Sequence, residues 1–361
     1  MPYIDGKDVK RRASGNWDDI LRRLAPSLAP FLDKPGRHGP CPVHGTEGYG
    51  DGFRVYKDVK ETGGGHCNTC GGFPDGFSLI AFATGDSYKD ILADVHKILG
   101  GADVQSDKRA PAAPAKPKVD PAVEDASIRQ RLSSVYASAL TLTHPDAAPA
   151  RLYLKQRGFT LLPEMLRMHP GLHWQDFEGK NRSGPHPTLI GLVVDSKERG
   201  VCLHRTYLSR EGTKASVPQA KKLMSHPSYV SLQGSAIRLF PQAETIGVCE
   251  GIETAIAVTE ATCIPCWPLV SATFMPSFLP PPGVKRVIVF ADKNSPTKLH
   301  PTGHGQEAAH QLRENLWAKG IKCSVAIPPS PIPDGAKDID WCDEFVRSGR
   351  TPFASLLAQA A

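Results

Sequence analysis

Apolar residues recur with helical spacing over residues 17–25 and again over 78–99, and the glycine-rich stretch between them holds a short strand pattern at 52–59. Two further helical patterns cover 128–142 and 148–157. Alternating segments at 189–195 and 201–208, joined by the polar turn 196–200, predict an antiparallel strand pair. From residue 244 the pattern changes: strand-like runs at 245–249, 267–272, 286–291 and 322–327 alternate with helical segments at 252–261 and 306–319. That alternation predicts a mostly parallel sheet covered by helices, with functional residues at the carboxyl ends of its strands. No internal repeat is visible.

The segment ADVQSDKRAPAAPAKPKVDPAV lacks aromatic residues and is rich in Ala, Pro and Lys. It predicts a semi-rigid linker at 101–124, separating a domain at 1–100 from two further regions, 125–242 and 243–361. The fold class expected is multidomain, α+β and α/β. A chain of 361 residues is long enough for two or three cores. Its 40% hydrophobic content includes no apolar run of membrane-spanning length, and its first twelve residues lack the apolar stretch of a signal peptide, so a cytoplasmic protein without membrane partners is expected. The net charge of +6 is unevenly spread: residues 125–240 hold 16 Lys and Arg against 8 Asp and Glu, and residues 241–361 hold 10 against 12. A basic segment followed by a slightly acidic one suits a site that holds phosphates on one side and gathers metals on the other.

Nine cysteines, an odd number unevenly placed, argue against a secreted disulfide framework. Cys41-Pro42-Val43-His44 and Cys67-Asn68-Thr69-Cys70 form two ligand pairs, each spaced to reach one ion, so Cys41, His44, Cys67 and Cys70 are the expected ligands of a structural Zn²⁺, with His66 the alternative to His44. Cys263 and Cys266 read as small buried residues, and Cys202, Cys249, Cys323 and Cys342 as core or surface residues. Glu250 and Asp292 each end a predicted strand, where two acids on neighbouring parallel strands can share one divalent ion such as Mg²⁺. Asp338, Asp340 and Asp343 form a compact acidic run downstream.

GPCPVHG, HCNTCGG and DGFSLIAFATG, in that order over about 36–100, resemble the zinc ribbon of bacterial and phage primases. The resemblance implies that the ribbon engages single-stranded template, with Arg37, Arg54, Lys57 and Lys60 contacting backbone and Phe53 and Tyr56 stacking on bases. VCEGIETAIAV and FADKN followed by GHGQEAAHQL, within about 243–345, resemble a TOPRIM domain. That implies Glu250 as the acid/base or metal-positioning residue of nucleotidyl transfer and Asp292 as a metal ligand. Asn294 occupies the second acidic position of the TOPRIM DxD motif, so Asp338 or Asp340 would supply the missing charge for Mg²⁺ or Mn²⁺. LHRTYLSREGTKASVPQAKKLM and GSAIRLF resemble the first half of the catalytic core of plasmid and phage TOPRIM primases, which implies that Arg205, Lys214, Lys221 and Lys222 bind template backbone and incoming triphosphate.

The activity implied is a DNA primase, a nucleotidyltransferase making short primers on single-stranded DNA from nucleoside triphosphates in phage, plasmid or mobile-element replication. No G-x-x-x-x-G-K-[ST] sequence is present, so a separate replicative helicase is the expected partner. A TOPRIM nuclease and a non-catalytic zinc-ribbon single-strand-binding replication factor are the alternatives.

Overall fold

The computed structural model describes residues 5–43, 52–67, 71–100, 121–176, 181–227, 229–297 and 300–354. The chain divides into two compact units, one comprising Met1–Pro117 with Phe177–Lys180, the other Lys118–Asp176 with Asn181–Ala361. Most of the linker expected at 101–124 lies outside the described residues. No described helix is long and apolar enough to cross a membrane.

The first unit runs α1 (Gly6–Ala13), α2 (Trp17–Leu24), α3 (Ala29–Leu32), β1 (Phe53–Val55), α4 (Val59–Thr62), β2 (Gly65–Cys67), β3 (Gly71–Phe73), α5 (Gly76–Thr84) and α6 (Tyr88–Ile98). Its strands form an antiparallel sheet in the order β1-β2-β3, with Phe53 opposite Cys67. The helical spacing at 78–99 resolves into two helices because Gly85, at φ +82°, ends α5 in the left-handed region. Trp17 is buried against Gly76, where a Cβ would stand 2.1 Å from the indole, so only glycine lets that ring seat.

The second unit opens with α7 (Pro121–Ala137), β4 (Leu140–Thr141), α8 (Ala148–Lys155), β5 (Leu166–Gln175), β6 (Arg182–Val194), β7 (Gly200–Tyr207) and β8 (Lys221–Leu223). These strands form an antiparallel sheet in the order β4-β5-β6-β7-β8. The pattern at 128–142 therefore shifts: its helix starts at Pro121, inside the expected linker, and ends at Ala137, while Leu140–Thr141 join the sheet. β5 carries no readable alternation because its pairing with β6 is broken by register shifts between His169 and Leu172 and between Leu172 and Trp174.

Next come β9 (Thr245–Cys249), α9 (Ile252–Thr262), β10 (Cys266–Pro268), β11 (Arg286–Phe290), β12 (Lys293–Asn294), α10 (His304–Trp317), β13 (Lys322–Ala326), β14 (Asp338–Ile339) and α11 (Trp341–Ser348). A parallel sheet in the order β10-β9-β11-β13 forms as the alternation predicts. The central strands β9 and β11 are buried and apolar after their first residue because both faces are covered: Ile246, Val248, Val287 and Val289 pack with Leu312 and Leu316 of α10. Cys249, Ile288 and Phe290 pack on the other face with Ile256 of α9 and Trp341 of α11. Cys266 is buried, but Cys263 is exposed, which corrects its assignment as a buried thiol: it caps the end of α9 in the left-handed region at φ +61°.

Candidate active site

Because β9 and β11 are adjacent and parallel, with Cys249 opposite Phe290, their carboxyl ends open on the same edge. Glu250 leaves β9 and Asp292 leaves β11 at that edge. Both border a narrow cavity of about 130 Å³, lined also by His204, Lys221, Thr254 and Asp340. Loss of water pushes the Glu250 carboxyl up to about 7; Lys221 and the Ala272 amide oppose the rise, and Asp338 and Asp340 add to it. Asp292 is raised well above the ordinary carboxylate range by desolvation, then by Glu250, Asp340 and Asp338. Its Oδ1 is buried without a hydrogen-bond partner. Desolvation and Asp343 raise Asp338 and Asp340 as well.

Mutually repelling carboxyls around an orphaned oxygen are the donor set a hard divalent cation would neutralise. Among the described residues, no three His, Cys, Asp or Glu side chains stand close enough to cage an ion alone. The set thus suits a hard divalent cation that Glu250 and Asp292 would hold, with further oxygen donors from outside the protein needed to complete its shell.

The remaining acids have local duties. Asp340 caps α11, its Oδ1 accepting from the Asp343 amide at 2.9 Å, and its Oδ2 accepts from the Thr254 hydroxyl at 3.2 Å. Asp338 is exposed and stands opposite Asn294 in the β12–β14 pair. Asn294 does not face the cavity acids: its Oδ1 accepts from the Gly305 amide at 2.6 Å, satisfying a free donor in the first turn of α10. Gly305 permits that approach, since a Cβ there would stand 2.6 Å from the Asp292 carbonyl.

The four basic residues of the preceding region separate. Lys221 pairs with Glu253 at 2.8 Å beside the cavity. Lys214 is exposed, feels the charges of Lys221, Glu253 and Asp340, and lines a groove of about 700 Å³ with Arg157 and Arg347. Lys222 is buried and donates to the Gln175 carbonyl at 2.6 Å, which removes it from the expected phosphate contacts. Arg205, paired with Lys222 across β7–β8, shares that other face and donates to the Leu223 carbonyl at 3.0 Å. His204 and Glu253 escaped the sequence reading. Burial, then Lys221, push the His204 imidazole down to about 4, and its Nδ1 is buried without a partner. A glutamate in the first turn of a mostly apolar helix, three residues after Glu250, was the signal that could have exposed Glu253.

In the first unit Cys41 and Cys67 are both buried, while His44 and Cys70 lie outside the described residues. Arg54 contacts the His38 ring at 2.8 Å, and Arg37, Lys57 and Lys60 are exposed, Lys60 lying 3.5 Å from Asp18. Tyr56 is half-buried, whereas Phe53 is fully buried against Phe31 and Phe82. Phe53 is therefore a core residue and no platform for bases.

Residues 36–77 match the family model of the zinc-binding domain of primase-helicase, residues 245–351 that of the Toprim domain, and residues 126–239 that of a domain of unknown function. No curated protein matches the chain. Among solved structures it is similar to a DNA primase domain from Pseudomonas aeruginosa, at 14% identity over 64% of this chain and 78% of that one, with a TM-score of 0.41. It is similar too to the zinc-binding and RNA polymerase domains of the Aquifex aeolicus primase (14% identity, 95% and 85% covered, TM-score 0.39). The primase fragment of the bacteriophage T7 primase-helicase is another (14% identity, 88% and 98%, TM-score 0.34). The chain thus joins a zinc-binding domain of the primase-helicase type to a Toprim domain built on a helix-covered parallel sheet.

Proposed function

We propose that the chain is a DNA primase that joins nucleoside triphosphates into short primers on single-stranded DNA during phage, plasmid or mobile-element replication. The observation that carries this reading is the pair Glu250 and Asp292, at adjoining strand ends, both raised first by loss of water and then by neighbouring carboxyls, lining one cavity with Lys221. Mg²⁺ or Mn²⁺, when bound by that pair, would lower the pKa of the attacking 3′-hydroxyl and neutralise charge on the triphosphate. Lys221 and Lys214 supply the cations that orient the phosphates, and the groove beside Lys214 and Arg157 offers a basic path for a single strand. Asp340 and Asp338 add field at the acids. Cys41, His44, Cys67 and Cys70 hold a structural Zn²⁺, and Arg54 and Lys57 belong to the template-facing surface of that ribbon. Strand opening comes from a separate helicase.

The test is synthesis on bare single-stranded template with labelled nucleoside triphosphates and Mg²⁺ or Mn²⁺. Labelled primers support the reading. Template cleavage without primers would replace it with a nuclease, and binding without either reaction, in both metals, with a single-strand-binding factor.

A further inference from the structure

Glu253 has a closed set of partners. It is buried, 6% exposed, in the first turn of α9; Oε1 accepts from the Tyr153 hydroxyl and Oε2 takes the Lys221 ammonium at 2.8 Å. Three elements, α8, α9 and β8, thereby meet at one carboxylate. Glu253 itself does not line the cavity as Lys221 does, yet it fixes where the lysine's charge stands. Among the described residues, Glu250, Asp292 and Asp340 also feel Lys221, as do His204 and the nearby cation Lys214. An ammonium and a divalent cation compete for the same carboxylates, because each neutralises the charge that attracts the other. A lysine left without Glu253 has the cavity acids as its nearest alternatives.

We propose that Glu253 is a positioning residue for the metal site: by engaging Lys221 in a fixed ion pair it keeps Glu250 and Asp292 open to a divalent cation. The proposal rests on the reading of those two acids as a metal site. Tyr153 holds the carboxylate in place, and Lys221 stays at the cavity wall, able to meet a substrate phosphate without filling the acids beforehand.

The test uses the full-length, zinc-loaded chain and reads Mn²⁺ binding by electron paramagnetic resonance, without nucleotide. The relevant site is the one lost in Asp292→Asn. Glu253→Gln, which keeps an oxygen for Tyr153, is expected to weaken Mn²⁺ binding there at least tenfold. Adding Lys221→Met to that variant is expected to restore affinity to within threefold of the unsubstituted protein, an effect that a merely structural role for Glu253 would not produce. Unchanged affinity in Glu253→Gln, or a loss that Lys221→Met does not repair, overturns the proposal while leaving the metal site intact. Absence of the Mn²⁺ site in the unsubstituted chain overturns the metal reading together with it. Should Glu253→Gln fail to fold, Tyr153→Phe takes its place: about threefold weakening, cancelled by Lys221→Met, is expected, and no weakening overturns the proposal.

Discussion

Lys221 and Lys222, neighbours in β8, leave the strand on opposite faces: Lys221 meets Glu253 at 2.8 Å beside the acid cavity, and Lys222 reaches the Gln175 carbonyl at 2.6 Å. The Lys222 ammonium also stands 5.3 Å from the centre of the Trp174 ring. Strand geometry forces this division, since successive side chains alternate faces. Two adjacent lysines therefore carry different duties.

Lys222→Ala is expected to act on stability. It removes a buried charge-assisted hydrogen bond and the packing over Trp174, a loss of about 1–3 kcal/mol, readable in denaturant melts, with the salt dependence of single-strand binding unchanged. Lys214→Ala is expected to do the reverse. Lys214 is exposed on the groove, so the variant should melt like the parent while its salt slope falls by about 0.7 per lost phosphate contact. Exchanged behaviour of the two variants would refute the division.

Zinc removal should reach only the first unit. Its core clusters around Trp17, Leu21, Phe53 and Leu79, with Cys41 and Cys67 buried among them, and shares no member with the clusters of the second unit. A module of this size whose ribbon strands are three residues long would lean on a bound ion to fold. One zinc per chain is expected by elemental analysis, and chelation should abolish the melting of the first unit while the second melts as before. Intact melting of both units after complete zinc loss would contradict this.

Particular residues show what was legible. Glu250 and Asp292 could be read because each ends a nearly continuous apolar run, the signature of a strand covered on both faces, and β9 and β11 formed as that pattern requires. The strand β5 could not be read, since bulges break its alternation. Lys222 was invisible as a buried lysine because its neighbour Trp174 lies on a distant strand. Phe53 looked like a base-stacking residue, but its strand alternates buried and half-buried positions, and it falls on the buried side. Composition identifies an aromatic ring; only register tells which way it faces.

Asn294→Asp tests the missing acid of the DxD position. The Asn294 oxygen already accepts from the Gly305 amide at the start of α10, where a carboxylate is favoured by roughly 0.3–1 kcal/mol through the helix dipole. The variant should therefore melt no lower than the parent, and its Mn²⁺ affinity should stay within about twofold, because the side chain is engaged by the helix. A tenfold gain in Mn²⁺ affinity would show that an acid at this position turns into the cavity.

The acid cavity should also make the metal-free protein pH-sensitive in a defined direction. Glu250 moves from an ordinary 4.5 to about 7 on folding, so between those values the folded chain retains a proton that the unfolded chain has released. Its contribution to stability is then most favourable below about 4.5 and declines as pH rises through about 7, by an amount on the order of 3 kcal/mol. The depressed carboxyl of Glu253 works the other way, adding stability above the unfolded value, while Asp292, Asp338 and Asp340 are raised like Glu250 and His204 is lowered, so the raw pH profile mixes them all. Subtracting a Glu250→Gln variant isolates the contribution of Glu250 together with its repulsion of Asp292, since the amide has neither a proton to lose nor a charge to repel. Without added divalent metal, Glu250→Gln should match the parent at pH 5 and exceed it in stability at pH 8, and added Mn²⁺ should stabilise only the parent. Primer synthesis by the variant should fall by orders of magnitude, because the carboxylate that gathers the cation is gone. Parallel stability profiles for variant and parent would mean that Glu250 is solvated in the folded protein, and the strained-acid account of the cavity would fail.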